Sequence, residues 1–203
     1  MRIIKQSYKI LFVTPHILHI IEKAGRICYK SENKMTEGSA IRFTEMLRDR
    51  GHHAMLEFGD IIVKFITNRG VTHELVRHRL CSFAQESTRY VDYQEEMEFI
   101  MPVWINQNIA GEEKYRMWIA AIEHAEYYYK ELREMGWRPE QAREVLPNSL
   151  KTEIVVKANT REWRHILQLR CSNKSHPQMH ALMRPLHQEL KKIIPVLYDD
   201  IKY

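Results

Sequence analysis

The sequence predicts an α+β fold, a mixed or antiparallel sheet with flanking helices, in one domain over residues 1–203. Two observations lead there. Segments whose apolar residues recur at three and four interleave with segments of strict apolar–polar alternation, as amphipathic helices and half-buried strands do. No repeat, low-complexity tract or Gly/Ser linker divides the chain, which has only seven Gly and seven Pro. At 44% hydrophobic it can bury a core, and its 203 residues suit one domain.

The elements follow in order. Residues 7–13 (SYKILFV) read as a strand. Pro15 can open a helix that carries Ile17, Ile20, Ile21, Ala24 and Cys28 inward. A second helix starts near Ser39, buries Ile41, Met46 and Leu47, and stops at Gly51. Residues 60–67 (DIIVKFIT) form a strand with Ile61, Val63 and Phe65 on one face. Thr72 can cap a helix over 73–80, and residues 97–101 before Pro102 read as a strand. The clearest helix spans 112–135, where Tyr115, Trp118, Ile119, Ile122, Ala125, Tyr129 and Leu132 share a face and Gly136 ends it. Pro139 begins a short helix that ends before Pro147. Residues 150–157 (LKTEIVVK) alternate as a strand. Asn159 and Glu162 have capping-box spacing for the next helix. Pro177 opens the last helix, with a kink expected at Pro185.

Charge and cysteine usage narrow the function. The net charge of +5 favours anionic partners such as nucleotides, phosphorylated metabolites or nucleic acid, and is too small to imply a DNA-binding protein. Cys28, Cys81 and Cys171 form no CxxC pair, so a reducing compartment is expected rather than a disulfide framework. No stretch approaches the ~20 apolar residues that span a bilayer. The start, MRIIKQSYKILFV, has no long apolar run or cleavage site, so a soluble cytoplasmic protein is expected.

Charge concentrates in RHRLCSFAQESTRY, residues 77–90. On a helix over 73–80, Arg77, His78 and Arg79 fan over ~200° at ~100° per residue. That spread suits an extended ligand, or ligands on two sides, better than one small anion. Glu74 lies three residues before Arg77 and can pair with it or orient it. If residues 84–90 are extended, Gln85, Ser87 and Arg89 share one side. An amide, a hydroxyl and a guanidinium in a row make a monophosphate cradle. A solvated basic turn with local ion pairs fits the same residues.

The helix after Asn159 adds a second observation. His165 and Gln168 fall within roughly 40° of Arg161, whereas Trp163, Ile166 and Leu167 lie opposite. Arg170 falls about 180° from Arg161, within the apolar face. An unpaired buried guanidinium is costly. Either the helix frays before Arg170, or Arg170 points at a partner.

These segments together resemble the flavin-dependent thymidylate synthases. RHRLCSFAQES has the family's Arg-His-Arg, then seven residues, then Ser. THELVRHR, STRY, PEQAREVLP, NTREW, LQLRC…HPQ and RGHHAMLEF are similar to family blocks in the expected order, over roughly residues 10–200. The resemblance implies a thymidylate synthase-complementing fold and reductive methylation of dUMP to dTMP. Methylenetetrahydrofolate would donate the carbon, NADPH the electrons through FAD, and tetrahydrofolate would leave. It also implies a homotetramer with active sites at subunit interfaces, acting on small molecules rather than nucleic acid or membrane.

Carried over by position, FAD would contact His52, Arg77, His78, Arg79, Gln85, Asn159, Arg161, His165 and His176. The dUMP site would use Glu74, Arg77, Gln85, Ser87, Arg89 and Arg170, with Arg143 reaching the phosphate from a neighbouring subunit. Arg170 would be the catalytic residue. Its charge would favour an ionised or polarised uracil, making C5 a better nucleophile without a covalent enzyme adduct. The sequence departs from patterns of some members at Gln85, where Glu is frequent, at Ala54, where a hydroxyl is common, and at His165, where Asn is frequent. The Arg170–His176 segment is longer than in some relatives.

Other constellations carry less. HELVRH places His73 and His78 five apart, where HExxH needs four. His176, His180 and His187 lack coherent metal-ligand spacing, and no metal is expected. Arg79 could lower the pKa of Cys81, although a small packed thiol is the simpler reading. The rival function is a non-catalytic nucleotide or nucleic-acid binder using the same basic patch.

Overall fold

Period-two burial builds the larger sheet. In Asp60–Asn68 (β3), Ile61, Val63, Phe65 and Thr67 are fully buried and the residues between them are not. Lys151–Asn159 (β6) repeats this with Thr152, Ile154, Val156 and Ala158. β-Branched and aromatic side chains fit such a pleated, half-buried surface. Ser7–Val13 (β2) and Ser82–Gln85 (β4) complete four strands in the order β2-β3-β6-β4. The structure, a computed structural model, describes residues 1–105 and 112–203 and has the mixed α+β fold that the sequence predicts.

The chain divides into two compact units. The first comprises Met1–Ser7, Phe65–Arg77 and Ala84–Ile154, and the second Tyr8–Lys64, His78–Phe83 and Val155–Tyr203.

In the first unit, Arg2–Ile4 (β1) pairs in parallel with Glu98–Ile100 (β5), Ile3 opposite Phe99. Met97, Phe99, Ile122, Tyr129, Ala142 and Leu150 form one buried cluster. Ile122 and Tyr129 come from Glu113–Glu134 (α4), the helix that the periodicity predicts. α4 ends at Gly136, whose φ of 92° suits a residue without Cβ. There Gly136 N donates to Arg133 O at 3.0 Å and Trp137 N to Leu132 O at 2.9 Å, the double bond of a Schellman motif. Pro139–Ala142 (α5) and a 3₁₀ turn over Arg143–Val145 follow.

Two expectations change in this unit. The helix expected over 73–80 is Arg69–Leu75 (α3), and Asn68 rather than Thr72 caps it. The Asn68 side-chain oxygen accepts from Val71 N at 2.9 Å, while the Thr72 hydroxyl donates back to Arg69 O at 3.1 Å. The helix is over before Arg77, so the helical fan of Arg77, His78 and Arg79 does not exist. Nor are residues 84–90 one extended run. β4 stops at Gln85, and Tyr90 N and Val91 N both donate to Ser87 O, at 3.1 and 3.0 Å, in a turn.

The second unit contains Ile17–Ile27 (α1), Ser39–Asp49 (α2), a 3₁₀ segment His53–Phe58, Thr160–Arg170 (α6), Pro177–Ile193 (α7) and Pro195–Tyr198 (α8). α1 buries Ile17 and Ile21, but Ile20 and Cys28 are exposed. Their expected place goes to a charged pair: Arg26 meets Glu22 at 2.7 Å, and Ser39 Oγ donates to Glu22 at 2.7 Å. On α2, Ala40, Thr44 and Leu47 are buried and Ile41 is exposed. α7 continues through Pro185. The buried Trp163 donates from Nε1 to Ile61 O at 3.0 Å. Arg164 binds Asp200 through two bonds of 2.7 and 2.6 Å and also donates to the Leu197 carbonyl. Among the described residues, no helix is long and apolar enough to cross a membrane.

Phe99→Ala is expected to cost ~3–5 kcal/mol in urea unfolding, because the removed ring leaves a cavity. A loss below ~1 kcal/mol would place Phe99 outside the core.

Candidate active site

The junction of β6 and α6 sets the geometry of the second unit's cavity. Asn159 ends the strand, and its side-chain oxygen accepts from Glu162 N at 2.9 Å as the helix cap. Thr160 N donates to Gly59 O at 2.8 Å, and the Thr160 hydroxyl donates to Leu56 O. A side chain on Gly59 would collide with Ile17, so glycine permits this close approach. The helix phase thus fixed buries Trp163, Ile166 and Leu167 and leaves Arg161, His165 and Gln168 exposed, as the sequence predicts. A cavity of about 440 Å³ opens there, lined by His53, Leu80, Arg161, Glu162, Arg164, His165 and Gln168.

The two readings of Arg170 resolve here. α6 stays helical through Arg170, and Arg170 Nε donates to His78 Nε2 at 3.0 Å. His78 is 6% exposed, and its other nitrogen, Nδ1, lies 3.3 Å from Glu162 Oε1. Its ring meets His165 edge-on, with centroids 5.6 Å apart. Burial first, then the Arg170 guanidinium and His165, lower the His78 pKa to about 4. His78 is therefore a neutral imidazole near pH 7. Burial also raises the Glu162 pKa, against the pull of His165 and Arg161.

Cys81 follows the simpler of its two readings, a packed thiol whose pKa Arg79 does not depress. Burial, and then the Glu162 carboxylate, push its thiol up to about 12. Cys171, fully buried, is likewise pushed up to about 12 by burial. His78, Glu162 and His165 are the one set of described residues with metal-sized spacing, their ligand atoms lying within 4.8 Å of one another. Both His78 nitrogens are already hydrogen-bonded, one of them to a guanidinium, so the geometry is that of a hydrogen-bonded relay.

The second unit therefore gathers His78, Asn159, Arg161, His165 and Arg170 around one helix. Arg161 pairs with Glu57 at 2.6 Å at the exposed rim. Arg79 is exposed, and His52 is exposed at the start of the 3₁₀ segment. His53, which the sequence reading passed over, lines the cavity instead. Glu162 and Arg164 were passed over too. Spacing marked Glu162 as a helix-cap partner, and nothing marked its approach to His78. His176 caps the start of α7, its Nδ1 accepting from Gln178 N at 3.2 Å.

The first unit holds the residues expected around the nucleotide. Gln85 Nε2 donates to Thr72 Oγ1 at 2.9 Å and Thr152 Oγ1 at 3.3 Å, which orients its amide. Ser87 Oγ accepts from Arg89 N at 3.3 Å within the turn, so Gln85, Ser87 and Arg89 are not aligned by strand alternation. The Arg89 guanidinium lies 5.3 Å from the Tyr90 ring centre and 3.9 Å from Glu140. Arg143 Nη1 donates to Thr88 Oγ1 at 3.2 Å, at the same turn. Glu74 is half-buried on α3, and Arg77 is exposed beyond its end. A separate cavity of about 400 Å³ is lined by Glu86, Asp92, Glu95, Glu96, Glu98 and Glu153 with Lys151, a charge balance that disfavours phosphate.

The fold is that of the thymidylate synthase-complementing class. A family model described as "Thymidylate synthase complementing protein" matches residues 9–196. The UMP/dUMP methylase PolB from Streptomyces cacaoi, solved with 5-Br dUMP bound, has the same fold: TM-score 0.82, 23% identity, covering 98% of this chain and 96% of that one. A flavin-dependent thymidylate synthase from Corynebacterium aurimucosum is 33% identical over 89% of this chain and 78% of its own. One from Geobacter sulfurreducens is 29% identical over 92% and 83%. The chain belongs to the flavin-dependent thymidylate synthase family.

Iodoacetamide at mildly alkaline pH is expected to modify exposed Cys28 and spare Cys81 and Cys171, as read by peptide mass mapping. The neutrality of His78 has a stability signature. Its pKa falls from 6.5 in the unfolded chain to about 4 in the fold. Between those values the unfolded chain binds the extra proton, so this contribution is complete above pH ~6.5 and is lost as pH falls toward ~4. Urea midpoints should fall less between pH ~7 and pH ~5 for His78→Gln than for the unsubstituted protein. Equal falls would mean that His78 is protonated in the fold.

Proposed function

We propose that the protein makes dTMP from dUMP by FAD-dependent reductive methylation, with methylenetetrahydrofolate as carbon donor and NADPH as reductant. The observation that carries this reading is the Arg170 guanidinium, held by a neutral imidazole at the end of the helix that walls the cavity. The bound 5-Br dUMP of the structural neighbour supports a uridine nucleotide as the ligand.

The donor set fits FAD. Arg161, His165 and Gln168 offer N–H groups around a cavity of about 440 Å³, and Arg79 adds an exposed charge in the same unit. The residues holding FAD would be His52, Arg77, His78, Arg79, Gln85, Asn159, Arg161, His165 and His176. His78 would act through the groups it holds, since both its nitrogens face protein side chains. Bound FAD would supply the redox chemistry, passing on reducing equivalents from NADPH.

The chain's own residues bind and polarise. Arg89 and Ser87 would hold the monophosphate, and Arg143, at the same turn or from a neighbouring subunit, would complete it. Gln85, whose amide nitrogen is engaged by two threonines, would present its carbonyl oxygen as an acceptor. Glu74 and Arg77 would complete the nucleotide contacts. Arg170 would face the pyrimidine, where a fixed positive charge stabilises negative charge that develops on the ring and makes C5 nucleophilic. No protein nucleophile is required, in keeping with the protonated Cys81. The working form would be a homotetramer with active sites at subunit interfaces.

The test is dTMP formation by flavin-stripped protein with dUMP, methylenetetrahydrofolate and NADPH, with and without added FAD. Product only with FAD is expected. Arg170→Ala should lower turnover at least ~10²–10³-fold, the scale of losing one preorganised donor, with FAD still bound. Salt-sensitive nucleic-acid binding with no flavin requirement would instead support the basic-patch binder.

A further inference from the structure

Glu162 has a second task beyond the helix cap. A reciprocal capping box would return its side chain to the backbone of Asn159. Its Oε1 instead lies 3.3 Å from His78 Nδ1. On the far side of the ring, His78 Nε2 receives a hydrogen bond from Arg170 Nε at 3.0 Å. A guanidinium can only donate, so Nε2 must be the unprotonated nitrogen. A neutral His78 then carries its proton on Nδ1, facing the Glu162 carboxylate. Only one arrangement of protons satisfies the whole line: carboxylate, Nδ1–H, Nε2 lone pair, Nε–H. Loss of the carboxylate would remove the acceptor that favours Nδ1–H. The other tautomer would point an N–H at the N–H of Arg170, and the guanidinium would have to turn away.

We propose that Glu162 is a positioning residue that fixes the tautomer of His78 and, through it, the orientation of the Arg170 guanidinium. The proposal rests on the reading that Arg170 polarises the pyrimidine. Its geometry is independent of that reading, and the low pKa of His78 agrees with it. The carboxylate–imidazole–guanidinium line orders a charged group as outer-shell carboxylates order the histidines that bind metals.

The experiment uses the flavin-loaded chain with ¹⁵N-labelled histidine and arginine. In the unsubstituted protein, His78 should show a protonated Nδ1 and a bare Nε2, and the Arg170 Nε–H should be protected from exchange. In Glu162→Ala, Nδ1 protonation and Arg170 Nε–H protection should both fall. The kcat for dTMP formation should drop on the order of ten- to a hundredfold, with KM for dUMP little changed. Glu162→Gln keeps an acceptor oxygen, so it should restore the tautomer and most of the turnover. A protonated Nε2 in the unsubstituted protein overturns the proposal even if Glu162→Ala fails to fold. So does an unchanged tautomer in Glu162→Ala, or a change in KM alone. If the unsubstituted protein makes no dTMP, the functional reading fails. The nitrogen signals then still decide whether Glu162 orients Arg170.

Discussion

One hydrogen bond, from Glu162 N to the Asn159 side chain at 2.9 Å, sets the phase in which α6 leaves β6. The rest of the second unit depends on that phase. A rotation by one residue, ~100°, would carry Trp163 and Leu167 out of the core and His165 and Leu169 into it. The anchors of Thr160 to Leu56 and Gly59 hold the same turn from outside the helix, and they need a glycine where Ile17 comes close. Local capping, a steric allowance and an amphipathic pattern agree. That agreement lets a polar cavity stand against a packed core without loss of order.

The sequence made part of this legible. Where apolar residues follow one period for several turns, as on α4 and α6, periodicity placed the helix and its buried face, and on α4 also its end at Gly136. Short elements were harder. α3 could be started from Asn68 or Thr72, since both side chains hydrogen-bond locally, and only the geometry shows that Asn68 caps while Thr72 bonds backward. That shift removed the helical fan of Arg77, His78 and Arg79. On α1, Glu22 and Arg26 neutralise one another in the core and displace the apolar residues that periodicity had placed there. Periodicity counts apolar residues and cannot see a pair of charges that cancel.

The same contrast marks the site. The family motifs pointed to three segments: Arg-His-Arg, the Ser87–Tyr90 turn and the helix after Asn159. They did not show that the middle residue of the triplet is buried while Arg77 and Arg79 stay exposed. His78 is pressed between two side chains of a distant helix, and burial makes it a neutral spacer rather than a third cation. A linear motif of three basic residues thus divides its work. The outer two keep their charge at the surface, and the inner one supplies shape and an acceptor.

The grip of Arg164 on Asp200 reaches into the history of the chain. This guanidinium borders the cavity on one side and is tied to the last residues of the chain on the other. A lineage that lost Asp200 alone would keep a largely buried cation without its half-exposed counter-ion, a destabilised state. Loss of one partner is thus disfavoured while the other remains. The C-terminal residues, remote in sequence from every motif, thereby inherit selection exerted on the cavity.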